Sequence, residues 1–196
     1  MSDPLTDARL AADRGGLIVF PTDTVYGIGC RPDVASATAR LFGAKERPRG
    51  LTLPVLAGST AAARAIARFD DRADRLAFAL WPGALTMVLP RTPVSESWDL
   101  GGEEATIGVR VPDHPMALAL LAAGPLATTS ANRSGEPPAT TCDALVEVFG
   151  EAVDVYLCQD DALAGAASTV VSLVGELEIV RVGAVDPPDI ERLSAG

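Results

Sequence analysis

Short apolar runs alternate with segments of helical period along most of this chain, and that alternation restricts the fold more than any other feature of the sequence. LIVF (Leu17 to Phe20), LTMVLP (Leu85 to Pro90), TIGVRV (Thr106 to Val111) and LATT (Leu126 to Thr129) have the length and apolar content of buried strands. Between them the apolar spacing is helical: Leu5 to Arg14, closed by Gly15-Gly16; Asp33, as a cap, through Ala44; a helix capped by Ser59; and Asp70 to Leu80, broken by Trp81-Pro82-Gly83. Asp113 starts a further helix with Pro115 in its first turn. TLPVLA from Thr52 reads as a strand in which Pro54 favours an edge or a bulge. Past a polar loop from Ser130 to Thr141, a short helix to Phe149 precedes strands near Val153 to Cys158, Ser168 to Leu173 and Leu177 to Val182, the last two joined by a hairpin turn at Val174-Gly175-Glu176. Strands interleaved with helices, plus one hairpin, predict a single α/β domain over residues 1–196, built on an open mixed sheet with flanking helices.

Composition narrows the function. The chain is 48% hydrophobic but only 5% aromatic, so its core must be built from Ala, Leu and Val, which suits helices packed on a sheet. Sixteen Lys and Arg against 26 Asp and Glu give a formal net charge of −10, which disfavours broad, stable binding of nucleic acid. Cys30, Cys142 and Cys158 are too few and too widely spaced for a disulfide framework or a zinc motif, so reduced thiols in a cytoplasmic protein are expected. No basic, apolar leader opens the chain and no apolar run has the length of a membrane span.

Four constellations hold the polar chemistry. In PTDTVYGIG (Pro21 to Gly29), leaving a buried strand, Thr22 and Thr24 fall on one side of an extended chain, and Gly27 and Gly29 permit close backbone approach. Strand ends in α/β sheets commonly hold ligands, yet a Thr-rich turn explains the same residues. In KERP (Lys45 to Pro48), proline biases Arg47 toward an extended conformation, which projects Lys45 and Arg47 to the same side. The pair is either a polyphosphate clamp, with Arg49 adding to it, or the solvated end of a helix. Arg110 stands inside an apolar strand, where a guanidinium needs an anionic partner, either a ligand's or one of the chain's own acids. ATTSANRSGEPPATT (Ala127 to Thr141) sets Ser130 and Asn132 two residues apart, as a donor-rich ligand loop or a surface turn. Ser168-Thr169, at the start of a late strand, and Arg181, in the last one, are further polar groups of this type. The one histidine, His114, has no accompanying carboxylate or Cys motif and reads as structural or solvated. Neither a Walker sequence nor a Rossmann glycine fingerprint is present, so nucleotide binding would need another architecture.

Taken in order, PTDTVYGIG, KERP, PGALT (Pro82 to Thr86), TIGVRVPDHP, TSANRSGEPPAT (Thr129 to Thr140), STVV and RVG (Arg181 to Gly183) resemble the YrdC/Sua5/TsaC family, in its short, single-domain form, over about Gly15 to Gly183. The resemblance implies a twisted α/β sheet with a concave cavity. There L-threonine, bicarbonate and ATP, with Mg²⁺, would give threonylcarbamoyl-AMP and pyrophosphate, and the product would pass to the tRNA threonylcarbamoyl-transferase machinery for modification of position 37. Carried over by motif, Lys45 and Arg47 would hold the ATP phosphates, with Thr106, Asn132, Thr140 and Arg181 around the nucleotide. Thr24, Arg110, Ser130 and Ser168 would hold threonine, Arg110 through its carboxylate. No protein ligands to a metal are implied. The chain departs from the family at Leu51-Thr52-Leu53, where an Asn or Lys followed by Pro-Leu is usual. Two other readings stand beside this one: a carbamoyl-adenylating domain of the hydrogenase-maturation type, and an RNA-binding or ribosome-maturation module.

Overall fold

Asp3 accepts a hydrogen bond from the Leu5 N–H, and Pro4 takes the first helical position, where its missing donor costs nothing, so the chain opens with a helix, α1 (Pro4–Asp13). The computed structural model describes residues 3–133, 135–136, 139–159, 163 and 165–195. The remaining elements are β1 (Ile18–Phe20), β2 (Gly27–Cys30), α2 (Ala35–Ala44), β3 (Val55–Leu56), α3 (Thr60–Ile66), α4 (Asp71–Leu80), β4 (Leu85–Pro90) and β5 (Thr106–Arg110). They continue with α5 (Pro115–Leu121), β6 (Leu126–Ser130), α6 (Cys142–Phe149), a single 3-10 turn (Gly150–Ala152), β7 (Val155–Tyr156), β8 (Thr169–Ser172), β9 (Glu178–Arg181) and α7 (Pro187–Ala195). Ser134, Pro137 and Pro138, part of the polar loop singled out in the sequence, lie outside the described residues.

The strands form one nine-stranded mixed sheet in the order β7-β1-β2-β6-β3-β5-β4-β8-β9. The pairs β1–β7, β3–β5 and β4–β8 are parallel and the rest antiparallel, including the β8–β9 hairpin expected around Gly175. Side chains alternate across a sheet, so each strand feeds two layers. Leu85, Met87 and Leu89 of β4 and Ile107 and Val109 of β5 enter the main core, with Leu41 of α2, Ala63 of α3 and Leu76 of α4. On the opposite face Ile18, Phe20, Leu56 and Leu126 pack against Ala8, Ala12, Ala117 and Leu120 of α1 and α5. Those two helices cover only one end of that face. Its remainder, carrying Thr86 and Val88 of β4, Thr106, Gly108 and Arg110 of β5, and Val170 of β8, is the floor of a cavity.

Several expectations are corrected. Gly27–Cys30, which the sequence reading did not assign as a strand, is a buried strand antiparallel to both β1 and β6. Its two glycines depress strand propensity, yet the packing requires them. A Cβ at Gly27 would lie 2.8 Å from Thr128 Cγ2, and one at Gly29 2.8 Å from Thr128 Oγ1. Asp33 does not cap α2; it is held by Arg31 at 3.0 and 2.8 Å, and Val34 takes the cap position without a side-chain hydrogen bond. The α5 cap position is taken by His114, without a side-chain hydrogen bond, while the Asp113 N–H donates to Asp23 Oδ1 at 3.0 Å. The Pro54 strand is internal rather than at an edge, since the two-residue ladder begins after the proline, whose carbonyl accepts from Thr128 N. Cys142 and Cys158 are not thiols: they form a disulfide across 5.6 Å between Cα atoms, while Cys30 is free and buried. The C-terminal helix α7, packed on α4, had no sequence-level assignment.

Candidate active site

The cavity has a volume of about 710 Å³, within the ordinary range of small-molecule sites. Its side chains arrive by two routes. Strand alternation supplies the floor, and the turns after β1, α2 and β6 supply the walls.

Arg110 ends β5 on the cavity face, its side chain only 6% exposed. Nε donates to the Gly83 carbonyl at 2.8 Å, Nη1 to Thr24 Oγ1 at 3.0 Å and Nη2 to Asp23 Oδ1 at 2.6 Å. Burial pushes its pKa down and Asp23 pulls it back up, while Arg181 lowers it further. Three of the five guanidinium N–H donors are engaged, which leaves two. The own-acid partner that the sequence reading allowed is therefore Asp23, and capacity for a second anion remains. Thr22 accepts from Thr24 N and Val25 N and donates to the Val25 carbonyl at 2.6 Å, so its hydroxyl proton is committed to the turn. Thr24 is then the donor in the 3.0 Å Thr24–Thr22 pair, which orients its oxygen toward Arg110.

Ser168 and Thr86 face each other at 2.9 Å between hydroxyl oxygens, and Arg181 donates to the Ser168 carbonyl and hydroxyl at 2.8 and 3.2 Å. The β8–β9 register slips at Val170/Val171, and this bulge brings both Val180 and Arg181 to the cavity wall. Arg47, half-buried, donates to the Leu51 and Thr52 carbonyls at 3.3 and 3.1 Å. Its pKa is lowered by burial and then by the Arg181 charge, so one exposed guanidinium acts on both of the others. Among the described residues neither Arg47 nor Arg181 has an ion pair with a carboxylate.

Lys45 is placed differently from the expectation. Its side chain does not line the cavity: 2% exposed, it donates to the Ser130 carbonyl, to the Asn132 carbonyl at 2.7 Å and to Asn132 Oδ1 at 3.1 Å. All three ammonium donors are used, and burial followed by the Arg47 charge lowers its pKa to about 8. The same-side argument fails because Lys45 closes α2 and Glu46 turns at φ 50°, so the segment is not extended. Asn132 Oδ1 also accepts from Ser130 Oγ at 2.6 Å, and Nδ2 donates to the Arg133 and Glu136 carbonyls. Ser130 and Asn132 still line the cavity, as do Thr24, Arg47, Thr106, Arg110, Ser168 and Arg181, but Thr140 is exposed elsewhere. Asp23, Thr86 and Thr128 were missed. Thr86 shares the period-two face of β4 with Val88, a signal that could have found it; nothing local marks Asp23.

Comparisons with known proteins identify the family to which this fold belongs. A family model for Sua5, YciO and YrdC proteins, described as telomere recombination, matches residues 11–183. A Chromohalobacter salexigens protein named threonylcarbamoyl-AMP synthase is 41% identical over 169 residues, covering 85% of this chain and 89% of that protein. Pyrococcus abyssi Sua5, solved in complex with L-threonine, is 31% identical with a TM-score of 0.85, over 96% of this chain and 57% of that one. E. coli YciO is 26% identical with a TM-score of 0.82, over 93% and 90% of the two chains. The nine-stranded sheet, the cavity on its bare face and the ordered motifs around it have one source: the chain belongs to the Sua5/YciO/YrdC family.

Proposed function

We propose that this chain is an L-threonylcarbamoyladenylate synthase, acting as a single domain in the cytoplasm. The observation that carries the reading is the convergence on one cavity of Arg47 and Arg181, which have no carboxylate ion pair among the described residues, beside the Asp23-paired Arg110, in a chain of net charge −10. Cationic groups concentrated against the global charge point to a polyanionic ligand. Arg110, its two free donors and the Thr24 and Ser168 hydroxyls take the threonine carboxylate and its neighbouring groups; Arg47 and Arg181, with Thr106, Ser130 and Asn132, take the nucleotide. Lys45 acts through Ser130 and Asn132.

The threonine amine condenses with bicarbonate to a carbamate, releasing water. A carbamate oxygen then attacks the α-phosphorus of ATP and pyrophosphate leaves. The nucleophile is already anionic, so this second step needs alignment and charge neutralisation rather than a general base. Mg²⁺, held through the triphosphate, would supply charge neutralisation at the phosphate oxygens. Among the described residues no cluster of three or more His, Cys, Asp or Glu could hold a metal, but Glu136 lines the cavity. A hard cation held mainly by phosphate oxygens and waters would fit that lining, and Glu136 is the carboxylate that would help hold it. The adenylate is consumed by the machinery that forms threonylcarbamoyladenosine on tRNA.

The test incubates the pure protein with ATP, Mg²⁺, bicarbonate and single amino acids and reads the adenylate by mass spectrometry. Threonylcarbamoyl-AMP in excess over the serine and glycine products is expected; no adenylate, or preference for serine, refutes the assignment.

A further inference from the structure

The cations of the cavity are not equivalent. Arg47 and Arg181 donate to backbone carbonyls and the Ser168 hydroxyl, so their charges are uncancelled. Arg110 is pinned by groups from the β1–β2 turn and the turn after α4, and one of them is a carboxylate. Asp23 is 16% exposed at its side chain, and its Oδ1 receives both Arg110 Nη2 at 2.6 Å and Asp113 N at 3.0 Å. It does not line the cavity, so it reaches a ligand only through Arg110.

We infer that Asp23 is a positioning residue that divides the cavity by charge: it fixes the Arg110 guanidinium and cancels its charge, leaving that end suited to one carboxylate and confining phosphate to the Arg47 and Arg181 end. A guanidinium paired with a carboxylate still offers two directed N–H donors, but it no longer attracts a multiply charged anion over distance. The ends are then chosen by charge as well as by shape. Without Asp23, Arg110 becomes a second phosphate site, and phosphate competes with the amino acid.

This rests on the reading of Arg110 as the carboxylate ligand, and the experiment separates the two. Asp23→Asn keeps an oxygen for both donors and removes only the charge; Asp23→Ser is the smaller neutral variant should Asn fold poorly, and Asp23→Ala removes acceptor and charge together. Inorganic phosphate is titrated calorimetrically into each protein without substrates, and its inhibition is measured at varied threonine. The expected result is one phosphate site in the wild type and a second in Asp23→Asn, lost again in Asp23→Asn/Arg110→Met. Phosphate inhibition competitive with threonine should strengthen at least tenfold in Asp23→Asn, whereas Asp23→Ala raises the KM for threonine at least tenfold and that for ATP less than threefold. Unchanged phosphate stoichiometry and inhibition in both neutral variants overturns the inference. The calorimetry needs no turnover, so a second phosphate site in a protein that makes no threonylcarbamoyl-AMP would remove the proposed function while leaving the charge division standing.

Discussion

The two ends of the cavity are built by different physics. At the Arg110 end the ligand-binding cation sits on a strand: Gly108 and Arg110 alternate with Ile107 and Val109, so the residues that bury the main core also aim the guanidinium. At the other end, Lys45, Ser130 and Asn132 come from a helix terminus and the exit of β6, and their polar atoms satisfy one another. A strand-borne site is held by the whole sheet, whereas a loop-borne site stands on a few hydrogen bonds, chiefly those of one ammonium group.

The largest expected effect tests the rigid end. Arg110→Met leaves Asp23 with its charge largely buried and unpaired, and should lower stability by about 3 kcal/mol, read as a fall in denaturant midpoint, while abolishing measurable turnover. A midpoint shift below a third of that would mean the ion pair is dispensable to the fold. Reduction of the Cys142–Cys158 disulfide probes the loop-borne end, since Cys142 begins α6 just after the polar loop. With a sequence separation of 16, the tie should contribute about 3 kcal/mol, and Cys142→Ser should lower thermal stability accordingly without altering the threonine KM.

Lys45 sharpens the contrast through pH. Its folded pKa of about 8 lies below the usual lysine value of 10.5, so from pH 8 to 10.5 the unfolded chain binds more protons and this group's contribution to stability rises with pH. Activity should move the opposite way, falling above about pH 8 as the ammonium that gathers Ser130 and Asn132 loses its proton. A pH–rate profile flat to pH 10 would show that the charge on Lys45 is not needed. The smallest effect is a control: Asp70→Ala removes the cap of α4, remote from both ends, and should cost about 1 kcal/mol in stability with both KM values unchanged.

The same division explains what the sequence could say. Strands β4, β5, β6 and β8 were readable because each is a short apolar run bounded by helices or turns, and with them came Thr106, Arg110, Ser130 and Ser168. β2 was hidden because two of its four residues are glycines selected by contact with Thr128, a neighbour distant in the chain. Thr24 was found, but its oxygen is oriented by Thr22 and Arg110, a relation no local pattern contains. Lys45 and Arg47 were placed on one side by an extended-chain rule that a positive φ at Glu46 cancels. The disulfide joins a helix start to a strand exit and leaves no spacing signature. α7 was overlooked because Pro187-Pro188 opens it and Ile190 is its one large buried apolar residue.

The most direct test of the two-ended cavity measures KM for threonine and for ATP separately in Arg110→Lys and Arg47→Met. The account predicts a crossed result: at least a tenfold rise for threonine with little change for ATP in the first, and the reverse in the second. Equal rises of both constants in both variants would contradict it, because the cavity would then bind its two substrates through one undivided set of cations.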